Sequence, residues 1–424
     1  MAEPAKKSKK AVPSCSLAGE KARRLLTGQP TGSVHHLGGM VDSPEKLLAD
    51  LIALPSVNPA FLPPGDDRAG EWRITDFLAS RAARAGLTIE FQNVFRKTER
   101  LPARENLIIR LAPRTKPRRR VLLAPHLDTV GAADMPGDNF NPTKRNGRLH
   151  GRGACDTKGS VAAMFTAFLR LAEKGPAPAG TEVVFVGLVD EENGQEGSRV
   201  LAASKLKGDL AIVGEPTELQ VITAHKGDLW LKLTTKGKAA HGARPELGRN
   251  AIHEMARVID LLETSYANSL RTRRHPVLGP GTINVGMVRG GTQPNIVPDR
   301  CEIQVDRRTI PGEKDAQVQR EILKFVREAG LRAELDSSKE NSCLSMETDA
   351  SLPLVREFMS LRKQAKPIGV DFFCDAAIIS AGGTPSVVFG PGNIAQAHTR
   401  DEWISLRSLR DATEILTTFL RALP

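Results

Sequence analysis

Three short runs of apolar residues without polar interruption lie in the first half of the chain, at Val121–Ala124, Val183–Val189 and Leu210–Val213. Runs of this kind are typical of central β-strands that are covered on both faces. Apolar residues at helical spacing predict helices before and between them, at residues 44–54, 70–86 and 161–172. This alternation of strand and helix predicts an α/β domain built around a mostly parallel sheet.

A different order of elements occupies residues 219–342. Strand and helix patterns follow one another as β-α-β-β-α-β, at Gln220–Thr235, Asn250–Leu262, Thr282–Val288, Cys301–Asp306, Ala316–Glu328 and Arg332–Leu335. This order predicts a compact, ferredoxin-like domain of two layers. The first pattern then resumes with a helix, a strand and a closing helix, at Leu352–Lys363, Ser386–Phe389 and Leu406–Leu423. The sequence therefore predicts a discontinuous α/β domain at residues 41–218 and 343–424, interrupted by an inserted domain at 219–342.

The composition indicates a soluble protein. The 424 residues are 40% hydrophobic and 26% charged, and no stretch approaches the roughly 20 apolar residues of a membrane span. The five cysteines are scattered without a CxxC pair, which argues against a disulfide framework and fits a reducing compartment. No apolar segment of the kind found in a secretion signal follows the basic N-terminus. We therefore expect a cytoplasmic protein that does not bind membranes.

The net charge of +11 is concentrated partly at the start of the chain. Residues 1–30 carry seven Lys or Arg against two Glu, which predicts a basic, disordered tail over residues 1–40. One Tyr and three Trp offer few rings on which nucleic-acid bases can stack, so nucleic-acid binding is not expected as the function. A positive field that steers anionic substrates is the more useful interpretation of the charge.

Five short segments end in residue types that bind metal ions. They contain, in chain order, His126, Asp156, Glu192, Glu215 and His398. A pair of zinc-like ions needs a set of this kind if the aspartate bridges them. Three of the segments directly follow the apolar runs, and ligands gather at the carboxyl ends of strands in open α/β sheets. The sequence therefore predicts a dinuclear metal site.

Two of these segments also have simpler interpretations. His126 and Asp128 are two residues apart on an extended segment and face the same side, so Asp128 can orient a metal-binding imidazole. Taken alone, however, the pattern is more often a core histidine beside a capping aspartate. Asp156 can face one ion with each oxygen, but in isolation it equally fits the N-cap of the helix that follows it.

Glu191 and Glu192 end the buried run Val183–Val189. Adjacent side chains point in different directions, so Glu192 can bind metal while Glu191 faces the attacking water as a general base. Asp156, Glu192 and Glu215 supply three negative charges against the four positive charges of two divalent ions. The remaining positive charge suits a bridging hydroxide, because the ions lower the pKa of its parent water to about 7.

The motifs together resemble those of a known family. The segments that carry the resemblance are PHLDTV, GRGACDTKGS, DEENGQEGS, GEPT, HGARPELGRNAI, DRRTIPGE and GPGNIAQAHT, and they span about residues 121–400. In this order they resemble the acetylornithine deacetylase, succinyl-diaminopimelate desuccinylase and glutamate carboxypeptidase family of dinuclear zinc amide hydrolases. The resemblance implies two metal sites with Glu191 as the base, one formed by His126, Asp156 and Glu215 and the other by Asp156, Glu192 and His398.

The resemblance also assigns roles to the inserted domain. It implies that this domain forms a homodimer and brings His241 to an active site, often that of the partner subunit, where it binds the carbonyl oxygen as negative charge develops there. Arg308 matches the arginine of a D-x-R-x-x-P-G pattern and, with Asn295 and Gly392, is a substrate-binding candidate. The planar fork of donors on an arginine suits a substrate carboxylate. The alternative is that Arg308 only pairs with Asp306 on the same strand.

These observations predict a metal-dependent amidohydrolase that hydrolyses the amide bond of an N-acyl amino acid, as acetylornithine deacetylase does. Its cofactors are expected to be two divalent ions, zinc in the first place, with cobalt able to substitute. Within the same class, a succinyl-diaminopimelate desuccinylase and a metallo-carboxypeptidase or dipeptidase that cleaves short peptides are the alternatives. A catalytically inactive binding protein on this scaffold is the alternative from another class, and the complete ligand set argues against it.

Overall fold

The computed structural model describes residues 42–424, apart from residues 100, 134, 136, 176, 179 and 338–342. The predicted basic tail at residues 1–40 lies outside the described residues. None of the described helices is both long enough and apolar enough to cross a membrane.

Some helices of the described chain begin at residues whose side chains cap them. The α-helices are α1 (Pro44–Ile52), α2 (Trp72–Arg84), α3 (Lys158–Ala172), α4 (Glu196–Ala203), α5 (Ala251–Leu261), α6 (Ala267–Arg271), α7 (Asp315–Glu328), α8 (Pro353–Leu361), α9 (Ala376–Ala381) and α10 (Leu406–Ala422). Ser43 precedes α1, and its hydroxyl accepts a hydrogen bond from the N–H of Lys46. Ser405 caps α10 in the same way. Each cap satisfies an N–H group that has no partner inside its helix.

The strands form one large sheet and three smaller ones within the described residues. They are β1 (Thr88–Phe95), β2 (Arg104–Leu111), β3 (Arg119–Pro125), β4 (Thr143–Arg145), β5 (Arg148–His150), β6 (Thr181–Gly187), β7 (Leu210–Gly214), β8 (Ile222–His225), β9 (Gly227–Lys236), β10 (Arg274–His275), β11 (Gly279–Pro280), β12 (Thr282–Gly290), β13 (Arg300–Thr309), β14 (Glu334–Ser337), β15 (Met346–Glu347), β16 (Ile368–Val370), β17 (Ser386–Val388) and β18 (Trp403–Ser405). The large sheet has the order β1-β2-β6-β3-β7-β17-β8-β15, and β16 pairs with β8. Strands β6, β3, β7 and β17 run parallel at its centre, while β1, β2 and β15 at its edges are antiparallel to their neighbours.

Both faces of this sheet are covered, which explains the uninterrupted apolar runs. In β6, Val183 and Phe185 face a core that includes α1, α3 and α10. Val184 and Val186 face the opposite way, into a core with α4 and α9. Because successive side chains of a strand alternate between faces, a strand buried on both sides is apolar along most of its length. The charged exception in β6 is Glu182, which pairs with Arg110 and Arg120. The predicted α/β architecture with a parallel centre is confirmed, and the antiparallel edges were not anticipated.

The inserted segment forms a second, smaller sheet with the order β12-β13-β9-β14, all antiparallel. Helices α5 and α7 cover one of its faces, where Met255, Val258 and Ile322 pack against Leu231 and Ile303. The chain order of these elements is β9-α5-β12-β13-α7-β14, which is the predicted β-α-β-β-α-β order. The segment therefore has its own hydrophobic core, separate from that of the large sheet.

The predicted strand Gln220–Thr235 is two strands in two different sheets. Ile222–His225 pairs with β15, β16 and β17 in the large sheet, whereas Gly227–Lys236 belongs to the small sheet. At Gly227 the chain passes so close to its returning part that an added Cβ would lie 2.6 Å from the carbonyl oxygen of Cys343. The polar residues at the break, His225, Lys226 and Asp228, are themselves buried, so burial does not show where one sheet ends.

Candidate metal centre

The predicted ligands converge at one edge of the large sheet. His126 directly follows β3, Glu215 directly follows β7, and the Glu191-Glu192 pair lies shortly after β6. Because β6, β3 and β7 are parallel neighbours, their carboxyl ends open on the same side. Asp156, just before α3, and His398, in the loop before β18, complete the group.

Asp156 lies between the two histidines and presents one oxygen to each. Its Oδ1 is 3.1 Å from Nε2 of His126, and its Oδ2 is 3.3 Å from Nε2 of His398. Glu215 Oε1 lies 3.7 Å from Nε2 of His126, and Glu192 Oε2 lies 3.0 Å from Nε2 of His398. The five side chains thus form two groups that share Asp156. Asp156 offers one oxygen to each group, as a bridging carboxylate would, and Glu191 offers an oxygen within 4.8 Å of the ligand atoms of His126 and Glu215.

The charges of this cluster fit divalent cations. Burial raises the pKa of Glu191 and of Glu215 well above the usual range. Burial and the neighbouring charge of Asp156 raise the pKa of Glu192 to about 7. The Oε1 atom of Glu192 is buried and accepts no hydrogen bond from the described part of the chain. Cations among these groups would favour their ionised forms, and a set of imidazole nitrogens and carboxylate oxygens suits zinc or cobalt.

Asp128 connects His126 to the two glutamates. It lies 3.4 Å from Nδ1 of His126, while that ring nitrogen also lies 3.1 Å from the backbone carbonyl of Asp128. Its two oxygens accept hydrogen bonds from the N–H groups of Glu191 and Glu192, both at 3.1 Å. One fully buried carboxylate therefore fixes both the ring orientation of His126 and the backbone that carries Glu191.

The sequence analysis missed a buried polar network that contacts Asp128 and Asp190. The guanidinium of Arg104 makes two hydrogen bonds to Glu71, at 2.6 and 2.8 Å, and a third to Asp190 at 3.0 Å. The side-chain amide of Asn58 donates to Asp128 at 2.8 Å and to Asp190 at 3.0 Å. Arg104 is the first residue of strand β2, shortly before its apolar positions, which is the signal that the sequence offered. Asn58 and Glu71 offer none, because their burial follows from partners distant in the chain.

His241 and Asn295 lie at the far end of the inserted sheet, beside a cavity of about 530 Å³. Both are exposed, and Nδ1 of His241 accepts a hydrogen bond from the N–H of Ala243. The N–H of Gly242 donates to the carbonyl of Asn295. Among the described residues, their hydrogen bonds remain within this part of the inserted domain. No hydrogen bond or ion pair within the described residues joins either side chain to the metal cluster.

Arg308 lies on β13 opposite Asp228, at the end of the small sheet where the chain enters it from the large sheet. Its guanidinium makes two hydrogen bonds to Asp306, at 2.9 and 3.0 Å, and lies 5.9 Å from the ring centre of Phe373. The pair with Asp306 is the alternative that the sequence left open. Gly392 has a φ of +92°, and a Cβ there would come within 2.6 Å of Sγ of Cys155. Only glycine therefore fits this position without a shift of the loop next to Asp156.

The chain is similar to known proteins in sequence. The profile of peptidase family M20/M25/M40 matches residues 122–422. An acetylornithine deacetylase of Myxococcus xanthus is 31% identical over 343 residues, which are 79% of this chain and 88% of that protein. A probable carboxypeptidase of Talaromyces marneffei is 30% identical over 367 residues, covering 80% of this chain and 79% of that protein.

A solved structure shows the same fold. The aminopeptidase PepT of Bacillus cereus superimposes with a TM-score of 0.70 at 23% identity, covering 90% of this chain and 99% of that one. The match of the profile extends from β3 to α10 and includes all five predicted ligands and Glu191. The chain therefore belongs to peptidase family M20/M25/M40 and is a metal-dependent hydrolase of amide bonds.

Proposed function

We propose that the protein removes the acyl group from an N-acyl amino acid, with N-acetyl amino acids as the preferred class. The observation that carries this proposal is the position of Asp156 between His126 and His398, with a carboxylate oxygen of Glu191 within 4.8 Å of a ring nitrogen of His126. The similarity to an acetylornithine deacetylase supports the choice of substrate class.

The proposed metal sites share Asp156. His126 and Glu215 complete one, and Glu192 and His398 complete the other. Zinc is the expected ion, because imidazole and carboxylate ligands suit it, and cobalt accepts the same ligands. When bound, the two ions would polarise the amide carbonyl and acidify a water molecule.

The remaining steps belong to side chains of this chain. Glu191 takes a proton from the attacking water and passes it to the leaving nitrogen. Asp128 keeps Glu191 in place through the backbone hydrogen bond at 3.1 Å. Arg308, Asn295 and Gly392 are proposed to contact the substrate, and Arg308 binds its free carboxylate after exchanging part of its pairing with Asp306.

A second candidate is a metallo-carboxypeptidase or dipeptidase, which the similarity to the Talaromyces protein favours. The same centre can hydrolyse a peptide bond, since the reacting group is an amide in both cases. A desuccinylase differs from the first candidate only in the acyl group. The proposals are therefore separated by substrate preference and not by the chemistry of the centre.

The test of the proposed function is turnover of matched substrates by the zinc-loaded protein. N-acetyl, N-succinyl and aminoacyl derivatives of one amino acid should be compared, each as the free acid and as the amide. We expect the N-acetyl acid to give the highest kcat/KM. Arg308→Ala should lower kcat/KM for the acid. The loss of transition-state stabilisation should be about 2–5 kcal/mol, the range for truncating one partner of a buried charge pair.

The matched control is Arg300→Ala, which removes an exposed arginine of the same strand that pairs with Glu302. It should change kcat/KM little. The Arg308 variant should also no longer distinguish acid from amide. If it keeps the original preference, Arg308 serves only to pair with Asp306. If the aminoacyl substrates are turned over best, the second candidate replaces the first.

We also propose that the segment at residues 219–342 acts as a domain that forms a homodimer. Strand β12 is an edge strand, and Met287 and Val288 on it are 42% and 60% exposed. Ile252, on the neighbouring helix α5, is 38% exposed. An apolar sheet edge of this kind supports pairing with a second copy. In such a dimer, the partner subunit's His241 would complete each active site.

Mixing two inactive variants tests this assembly. His241→Ala and Glu191→Gln subunits should each be inactive alone. After subunit exchange, half of the dimers are mixed and each has one intact site, so about a quarter of the parent activity should return. Activity of the mixture measures this directly.

As a control, Glu191→Gln should be mixed with a chain that carries both substitutions. No site is then intact in any dimer, so no activity should return. A protein that sediments as a fully active monomer would contradict the proposed role of the second subunit.

A further inference from the structure

Glu402 is a buried carboxylate to which none of the proposed catalytic steps assigns a role. Glu402 is only 1% exposed to solvent. Oε1 accepts hydrogen bonds from the N–H groups of Cys155 at 2.8 Å and Asp156 at 2.9 Å. Oε2 accepts from the N–H of Gly153 at 2.8 Å and from Nη1 of Arg152 at 2.9 Å. Four donors of one short loop thus converge on a single carboxylate.

These contacts fix the backbone that carries Asp156. A buried charge is tolerated when charge-assisted hydrogen bonds replace its hydration, and here every bond comes from residues 152–156. All four partners are N–H donors. A glutamine at position 402 would place its NH₂ group against two of them, because an amide has one acceptor oxygen where a carboxylate has two.

Glu402 also belongs to the segment that carries His398. It follows His398 by four positions in the sequence and directly precedes β18. Strand β18 pairs with β5, with Trp403 opposite His150, and the carbonyl of Glu402 accepts from the N–H of Gly151 at 3.1 Å. The side chain and the backbone carbonyl of Glu402 therefore both accept hydrogen bonds from the loop that leads to Asp156.

We propose that Glu402 is a positioning residue that sets the placement of Asp156 relative to His398. These two side chains approach to 3.3 Å although they are 242 positions apart, and Glu402 is bonded to one loop while belonging to the other. Together with Glu192 they would hold one of the two ions, so the inference rests on the proposed function. Glu402 thereby sets the affinity of that ion without contacting it.

Zinc binding by the full-length protein tests the inference independently of turnover. A competition titration against a chromophoric chelator gives the dissociation constants of both ions. Glu402→Gln should weaken one of the two ions by about 10–100-fold, the usual effect of removing a residue that orients a metal ligand. Glu414→Gln is the matched control, because Glu414 is an exposed glutamate that pairs with Arg170, and it should leave both constants unchanged.

Whether Glu402 acts on the ion through His398 is tested in a protein that already carries His398→Ala. In His398→Ala, which leaves the site of His126 and Glu215, adding Glu402→Gln should change the remaining constant by less than about twofold, the scatter expected of independent positions. Equal weakening in both backgrounds would overturn the link, since Glu402 would then act on Asp156 alone. Unchanged zinc affinity in folded Glu402→Gln protein would overturn the inference altogether.

Glu402→Asp provides a variant that keeps the charge if Glu402→Gln does not fold. Its side chain is one methylene shorter and cannot reach all four donors, so a weakening of about 10-fold is expected. A parent protein that fails to bind two zinc ions contradicts the proposed function itself. If the parent binds two zinc ions and a folded Glu402 variant binds them with unchanged dissociation constants, only the proposed role of Glu402 is contradicted.

Discussion

Glu191→Gln is expected to retain about two zinc ions per chain and to lose about 10²–10⁴-fold in kcat, the range for removing a general base. Glutamine has nearly the shape of glutamate but cannot accept a proton at neutral pH. In the structure, the N–H of residue 191 contributes to the hydrogen bonds of Asp128, and the substitution leaves that contact in place. Metal content by elemental analysis and kcat on an N-acetyl amino acid measure the two quantities separately.

Glu192→Gln and Asp156→Asn should behave differently, because both residues lie within 3.3 Å of a proposed histidine ligand. Each should lose bound metal as well as turnover. Glu196→Gln is the control, since Glu196 lies nearby on α4 and its side chain is directed to Arg199. Equal metal loss in Glu191→Gln and Glu192→Gln would show that Glu191 is a ligand and not the base.

Arg104→Met is expected to lower the free energy of unfolding by about 3–5 kcal/mol, the usual effect of removing one partner of a buried ion pair. The substitution leaves Glu71 buried without its guanidinium partner. Burial already raises the pKa of Glu71, and the loss of Arg104 removes the charge that opposes this. The deficit should therefore be smaller at low pH, where Glu71 is protonated, and should grow as pH rises.

Urea unfolding of metal-free protein at two pH values measures this effect. Glu71→Gln should lower the free energy of unfolding less in the Arg104→Met protein than in the parent, because it then removes an unpaired charge and not a paired one. Arg110→Met is the control, as Arg110 lies on the same strand and its ion pairs are partly exposed. Strictly additive effects of the two substitutions would show that the pair does not contribute as a unit.

The amino-acid sequence was sufficient to predict features that depend on neighbours in the chain. The runs that form β3, β6 and β7 are apolar at every position because both faces of the sheet are covered, and this is visible without coordinates. The polar residues that follow these strands must meet, since parallel neighbours end at one edge. The grouping of His126 with Glu215, in contrast, was implied by the resemblance to the family and not by the strand pattern.

Contacts between distant segments were decided only by the tertiary structure. Asn58, Glu71 and Arg104 support the turn at Asp190 from a part of the chain that precedes the matched region at residues 122–422. Glu402 holds a loop about 250 positions earlier. A single charged residue has no periodicity, so its burial cannot be inferred from its neighbours in the sequence.

The boundary between the large and the small sheet is a second feature that the sequence did not predict. The segment from Gln220 to Thr235 mixes apolar and polar residues that are mostly buried, yet its halves lie in different sheets. Which strand each half pairs with depends on hydrogen bonds to β17 and β13, which lie far along the chain. The sequence by itself thus determined which apolar runs form buried strands and which residues are candidates for binding metal. The tertiary structure decided what each buried group contacts, because pairing free energies arise between segments that local pattern does not relate.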